Sequence, residues 1–333
     1  MRRLFTNGIM ALSLEEIKKP IDAEIANFET HFKDSMKSAV PLLDKITYYI
    51  VKSKGKQVRP MFVFLSARMF GDTNDATYSA AVFIELLHTA TLVHDDVVDD
   101  SYERRGFMSI KAIWKNKIAV LVGDYLLSKG MLLAVENEHF NLLKIMSRAI
   151  KDMSEGELQQ LEKARRLDIQ EAVYFEIIRK KTASLIASAC SAGAATTSTD
   201  PAITERMRLL GEKIGVCFQI KDDLLDYGDS DIGKPLGIDI KEQKMTLPLI
   251  YSLSKSSFFE KRKIINIVKN NNNDPQKVKE VIEFVKSKGG IQYTIQKMMD
   301  IYQECLDMLD QFPETEARES LRNLIKFSIE RKK

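Results

Sequence analysis

The chain has 333 residues, 44% of them hydrophobic and 29% charged, which is ordinary for a globular protein and ample for a large core. A net charge of +3, with no dense lysine and arginine stripe between aromatics, excludes a general nucleic-acid binder. Fifteen glycines and eight prolines fall below average usages of about 7% and 5%, which favours long helices over many short strands.

Residues 1–13 begin Met1-Arg2-Arg3, and Thr6-Asn7-Gly8 interrupts the apolar stretch behind them. No clear small-residue cleavage site follows, so a loose terminus is expected. Over 14–51, Ile17, Ile21, Ile25, Phe28, Phe32 and Met36 recur at helical spacing, which predicts two helices broken near Pro41. Lys54-Gly55-Lys56-Gln57-Val58-Arg59-Pro60 comes next, ahead of a helix over 61–70 that Pro60 can open as its first residue. Alone this is a basic turn. Beside acidic metal sites, Lys56 and Arg59 also suit a phosphorylated group.

Asn74-Asp75 forms a loop, and the helix over 78–99 is the one the rest serves. Residues 86–106 read LLHTATLVHDDVVDDSYERRG, an apolar run ending in carboxylates and then Arg104 and Arg105. Asp95 and Asp99 lie one helical turn apart with Asp96 beside them. Carboxylates gathered at the end of a buried helix repel one another unless a cation sits among them, and a hard divalent cation takes oxygen ligands. His88, seven residues before Asp95, falls on the same stripe.

The segment 118–135 is apolar nearly all round. Asp124 and Lys129 would each cost about 2.5–3.5 kcal/mol at a bilayer centre, so a helix buried on both sides is expected, with one side open to a second subunit. A long helix over 141–166 carries Gly156-Glu157-Leu158-Gln159-Gln160. Another over 169–195 carries Arg179-Lys180-Lys181-Thr182-Ala183, where Lys181 and Thr182 open an apolar run of small residues. Cys190, Cys217 and Cys305 are widely spaced without a CxxC and read as reduced thiols of a cytoplasmic protein.

Residues 219–226 repeat the acidic pattern, with Asp222, Asp223 and Asp226 in a second DDxxD and Gln219 one turn before. One DDxxD is commonly a solvated face. Two, each embedded in apolar helix (89–98 and 214–225), are far more specific. A loop with Gly228, Gly233 and Gly237 follows, flanked by Lys234 and Lys244. The segment 227–246 suits a lid over a charged ligand. Residues 247–333 read as amphipathic helices, interrupted at 270–274 and at Gly289-Gly290. No linker divides the chain, so one domain over 1–333 is expected.

In this order GKQVRP, HTATLVHDDVVD with RRG, KT, FQIKDDLLD, GKPLGID and KMTLP resemble the trans-isoprenyl diphosphate synthases, the polyprenyl synthetase family, from about Gly55 to Pro248. The resemblance implies an all-α bundle of about ten or more helices around a central cavity, the isoprenoid synthase fold, and a homodimer. It implies that Asp95, Asp96, Asp99, Asp222, Asp223 and Asp226 bind Mg²⁺, three ions with the allylic diphosphate present. Arg104, Lys181 and Lys244 would contact that diphosphate. Lys56, Arg59, His88 and Arg105 would hold isopentenyl diphosphate, Thr182 and Gln219 would steady the reacting region, and Lys234 would belong to the closing loop.

The implied reaction breaks an allylic C–O bond, adds the double bond of isopentenyl diphosphate to the carbocation, and loses a proton. Fixed positive charge stabilises the departing diphosphate, and water must be kept out. Relatives that stop at three or four units often carry aromatics at the positions of Ala90 and Thr91. Both are small here, and Leu87 lies a turn further back. A helical turn of about 5.4 Å approximates one isoprene unit. A long product of about six to eight units is expected, of the kind used for quinone side chains, grown from farnesyl or geranylgeranyl diphosphate. Peripheral membrane contact would unload it. The alternative is a short-chain farnesyl or geranylgeranyl synthase. An HD-type phosphohydrolase would need several spaced histidines, and the chain has only His31, His88, His94 and His139. A terpene cyclase would not carry a second DDxxD. A non-catalytic partner subunit would lose both acidic motifs.

Overall fold

Helical apolar spacing dominates the chain, and helices dominate the fold. The computed structural model describes residues 13–53, 55–104, 106–164, 167, 170–228 and 236–330. In order these form α1 (Leu14–Lys18), α2 (Asp22–Met36), α3 (Pro41–Lys52), α4 (Val58–Arg68), α5 (Asp75–Val98), α6 (Ile110–Glu136), α7 (Phe140–Ala164), α8 (Glu171–Ile178), α9 (Ser184–Thr197), α10 (Pro201–Leu225), α11 (Ile238–Lys241), α12 (Leu247–Ser254), α13 (Phe258–Asn270), α14 (Pro275–Ser287), α15 (Gly290–Asp310) and α16 (Glu316–Glu330). Among the described residues the only sheet is a two-residue ribbon, β1 (Glu103–Arg104) antiparallel to β2 (Phe107–Met108). The all-α class expected from sequence is what the structure has.

Two compact units emerge. The first draws on described residues within 13–133, 193–199 and 312–330. Its centre is α4, buried from Pro60 to Ala67, against α5 and α16. Phe28 of α2 meets Phe64 edge to face at 6.1 Å. Asn74 caps α5 by accepting from the Thr77 amide, which fixes where that helix starts. The second unit draws on described residues within 134–192 and 200–311, and α10 lies against α15 and α12 at its centre.

Pro60 is the third residue of its helix rather than the first. A first-turn amide has no partner four residues back, so proline is tolerated throughout that turn, and Gln57 precedes it in a left-handed conformation (φ 52°). Helix α6 is not buried on both sides, as its composition suggested. Ala119, Val122 and Leu126 are buried, whereas Ile113, Val120, Leu121 and Leu132 are exposed. It bends at Lys115, where the backbone leaves helical geometry (φ 72°). By length and composition α5 and α6 could each cross a membrane, but two-thirds of the apolar window of α5 is buried within the protein, against one-third for α6. The helix expected over 169–195 is divided by a π-helical turn, Arg179–Ala183, that no compositional signal marks.

Candidate active site

The first acidic group closes α5. Asp96 is buried, 2% exposed, and Arg104 grips it, with Nε and Nη2 each 2.7 Å from Oδ1. Burial pushes the Asp96 carboxyl up and Arg104 opposes that shift. Asp95 is half-buried and Asp99 exposed. The chain turns after Asp99, whose amide donates to the Asp95 carbonyl, and the ribbon β1–β2 then brings Arg104 back onto Asp96. Further down α5, Arg59 Nη1 donates to His88 Nε2 at 2.9 Å, so that ring nitrogen is the unprotonated one. Lys56 stands over the Phe327 ring at 5.6 Å. A cavity of about 70 Å³ in this unit is lined by Glu85, His88, Thr89, Leu92, Val93 and Asp96 among others. It follows a different stripe of α5 from Leu87 and Ala90, both buried, and Thr91, which donates to the His88 carbonyl.

The second acidic group closes α10. Asp223, 5% exposed, accepts from Tyr174 OH at 2.6 Å on one oxygen and from Gln219 Nε2 at 2.8 Å on the other. Thr182 donates to Gln219 Oε1 at 2.8 Å, so four residues from α8, the π turn and α10 form one chain of hydrogen bonds. Asp226 accepts the amides of Ile238 and Asp239 at 2.9 and 3.1 Å, capping α11 and tying its first turn back to the end of α10. Burial pushes Asp223 up to about 6, and burial with Asp223 and Asp226 nearby pushes Asp239 up to about 8. Lys244 opposes both shifts without overcoming burial and the neighbouring carboxylates, so a bound cation would relieve the remaining cost.

The π turn holds Lys181 and Thr182 between two glycines. A Cβ at Gly156 of α7 would lie 2.7 Å from the Lys181 amide nitrogen, and one at Gly215 of α10 would lie 2.4 Å from Ala183 Cα. Extra backbone turns of this kind concentrate at functional sites. Lys181 pairs with Glu157 and Lys244 with Glu242. Arg105 and Lys234 lie outside the described residues, as does 229–235 of the expected lid and all of the expected loose terminus but Ser13, which caps α1.

Each acidic group therefore has its expected members at one helix end; Gln219 joins the second from one turn before, and Thr182, which the resemblance set near the reacting region, reaches it through Gln219. Among the described residues no three His, Cys, Asp or Glu side chains converge in a metal-binding cluster. Mg²⁺ retains several waters and takes one or two carboxylates alongside substrate phosphates, so carboxylates of this kind fit that ion without a protein cage. Sequence reasoning missed Tyr174, which reads as a core aromatic in EAVYFEII, and Asp239, which lies 13 residues beyond Asp226. The only signal for Tyr174 was a hydroxyl on an otherwise apolar helix face.

Comparison with known proteins extends these observations over the whole length. Residues 40–285 match the polyprenyl synthetase family. The all-trans-nonaprenyl-diphosphate synthase (geranyl-diphosphate specific) of Rhodobacter capsulatus is 35% identical over 95% of this chain and 98% of its own. The octaprenyl diphosphate synthase of Escherichia coli (strain K12) is 32% identical over 96% of this chain and 99% of its own. The polyprenyl synthase of Caulobacter crescentus CB15, complexed with calcium and isoprenyl diphosphate, superposes with a TM-score of 0.89 at 33% identity, covering 98% of this chain and 100% of that one. With the two carboxylate-ended helices and the all-α fold, a match of this extent means that the chain belongs to the polyprenyl synthetase family.

Proposed function

We propose that this protein is a prenyltransferase that condenses isopentenyl diphosphate with an allylic diphosphate, farnesyl or geranylgeranyl, head to tail. The product is a long-chain all-trans polyprenyl diphosphate of about six to eight units, suited to quinone side chains. The observation that carries the reading is the pair of buried carboxylates, Asp96 and Asp223, at the ends of helices otherwise given to apolar core. Arg104 and the Tyr174–Gln219 pair hold these carboxylates in place, and burying charge there is costly, which fits a site kept for a bound cation and its anionic ligand.

Asp95, Asp96, Asp99, Asp222, Asp223 and Asp226 are proposed to hold Mg²⁺, three ions with substrate. Bound magnesium supplies positive charge to the departing diphosphate. Arg104, Lys181 and Lys244 exchange their carboxylate partners for diphosphate oxygens as the allylic C–O bond breaks. Lys56, Arg59, His88 and Arg105 orient isopentenyl diphosphate, whose double bond attacks the cation. A proton then leaves to the released diphosphate. Lys234 and the segment 227–246 exclude water, and Thr182 and Gln219 fix the region of bond formation. Leu87, Ala90 and Thr91 set the length, with Ala90 and Thr91 too small to block growth. The exposed apolar side of α6 pairs two copies of the chain. A reducing, cytoplasmic location is supported by Cys190, Cys217 and Cys305, none of which forms a disulfide.

Incubation of the pure protein with Mg²⁺, isopentenyl diphosphate and farnesyl diphosphate, followed by chromatographic sizing of the lipid, tests this. Elongation that stops on adding EDTA and gives products beyond four units is expected, with shorter products from Ala90→Phe. Phosphate release without a longer prenyl chain overturns the reading. Products of three or four units restore the short-chain alternative.

A further inference from the structure

Helix α13 opens with Phe258 and Phe259, 70% and 81% exposed, and Phe259 is the most exposed large hydrophobic side chain among the described residues. The rings lean edge to face on one another, centroids 5.8 Å apart. Most of the surface of each ring is open to solvent. The helix is held from its other side by Ile264, Ile267 and Val268, all buried. Its start is fixed by a capping box between Ser257 and Glu260, so the two rings are presented on a firm support.

The surroundings are cationic. Lys255, Lys261, Arg262 and Lys263 are all exposed, and Arg262 and Lys263 follow Phe258 and Phe259 by one helical turn. Nearby acids are engaged elsewhere: Glu260 with Lys288 at 2.8 Å, and Glu280 with Lys263 and Lys277 at 2.6 and 2.9 Å. Lys255, Lys261 and Arg262 leave a net positive charge around the rings. Ser254, Ser256 and Ser257, all small, keep the tip narrow.

We propose that this tip is a peripheral membrane anchor. Phe258 and Phe259 enter the interface of a bilayer containing anionic phospholipid, while Lys255, Lys261 and Arg262 lie against its head groups. Aromatic side chains on one helix end with flexible cations beside them match that boundary in both polarity and charge. A partner protein is a poorer fit, because two rings cover far less than the roughly 800 Å² that each side of a stable interface buries. The purpose, handing a water-insoluble polyprenyl chain to the bilayer, rests on the proposed function. The binding itself does not.

The test is co-sedimentation of the full chain with phosphatidylcholine vesicles, with and without phosphatidylglycerol. Binding to the anionic vesicles that weakens as salt is raised is expected. Phe258→Ser with Phe259→Ser should weaken it about tenfold or more. Lys261→Glu with Arg262→Glu should abolish the preference for anionic lipid. Both variants should match the parent protein in detergent-supported elongation. Failure of the parent protein to bind, equal binding to both vesicle types, or undiminished binding by the phenylalanine variant overturns the anchor. So does self-association without vesicles that the phenylalanine variant loses, since that assigns the tip to a protein contact. Intact vesicle binding with no elongation leaves the anchor standing and defeats the prenyltransferase reading.

Discussion

Asp223 accepts a hydrogen bond on each oxygen from a side chain that is itself fixed, one from Tyr174 and one from Gln219. Its orientation is therefore set before any ligand arrives, which is how a carboxylate is kept in productive geometry. Tyr174→Phe removes one donor without changing shape. A hydrogen bond to a charged group is worth about 1.5–3 kcal/mol, so kcat/KM for the allylic diphosphate should fall about tenfold or more. Steady-state kinetics across a Mg²⁺ titration provide the check, and parent-like values at every Mg²⁺ concentration would refute the orienting role. Glu260 makes a different case, since its charge acts on stability. Lys288 and the Ser257 amide hold its pKa down to about 2, from an ordinary value of 4.5. A depressed carboxylate stabilises the fold above its unfolded value and loses that contribution as pH falls toward the folded one. Glu260→Gln should therefore lower the melting temperature at pH 7. The deficit should shrink by about half or more at pH 3, and a deficit independent of pH would mean that the charge contributes nothing.

The π turn places Lys181 and Thr182 only because α7 and α10 approach it at Gly156 and Gly215. In Gly156→Ala the new Cβ would stand 2.7 Å from backbone nitrogen and 2.9 Å from Lys180 Cβ, so the turn itself must move. Overpacking of that kind costs about 1–3 kcal/mol, and displacing a positioned group by an ångström costs about a hundredfold in rate. The variant should melt earlier and lose activity well beyond its loss of folded protein, as thermal melts beside kinetics would reveal. Unchanged activity would show that the turn tolerates displacement. The same elements mark where sequence ceased to be legible. Helix α5, its DDxxD end and the second DDxxD were readable because apolar spacing and charge are local in the chain. The π turn was not, because one added backbone residue leaves no mark in composition. Tyr174 was not, because its partner is 49 residues away. The one-sided burial of α6 was legible only in part, as a side left for a second subunit, because an apolar helix looks the same whether its own chain or a second copy covers its outer side.

That outer side of α6 concerns the molecule as a whole. Ile113, Val120, Leu121 and Leu132 are exposed on a helix whose opposite face belongs to the core, and Leu121 is 59% exposed. Contiguous apolar surface of this sort marks a contact with protein or lipid. Lipid in the sense of a spanning helix conflicts with Asp124, 60% exposed with its Oδ1 3.5 Å from His94 Nε2, since a charge facing hydrocarbon is costly. A second copy of the chain does not, because a protein interface carries polar groups and trapped water that satisfy a carboxylate within it. Light scattering on the parent protein should therefore report twice the chain mass of 38.0 kDa. Leu121→Glu puts a carboxylate in the middle of the patch without disturbing buried residues, and should shift the mass toward 38.0 kDa as the protein is diluted. The experiment separates this face from the phenylalanine tip of α13. Vesicle binding should survive Leu121→Glu, and dimer mass should survive Phe258→Ser with Phe259→Ser. A parent protein that is monomeric at every concentration, or a Leu121→Glu variant that stays dimeric under dilution, would remove α6 as the subunit contact.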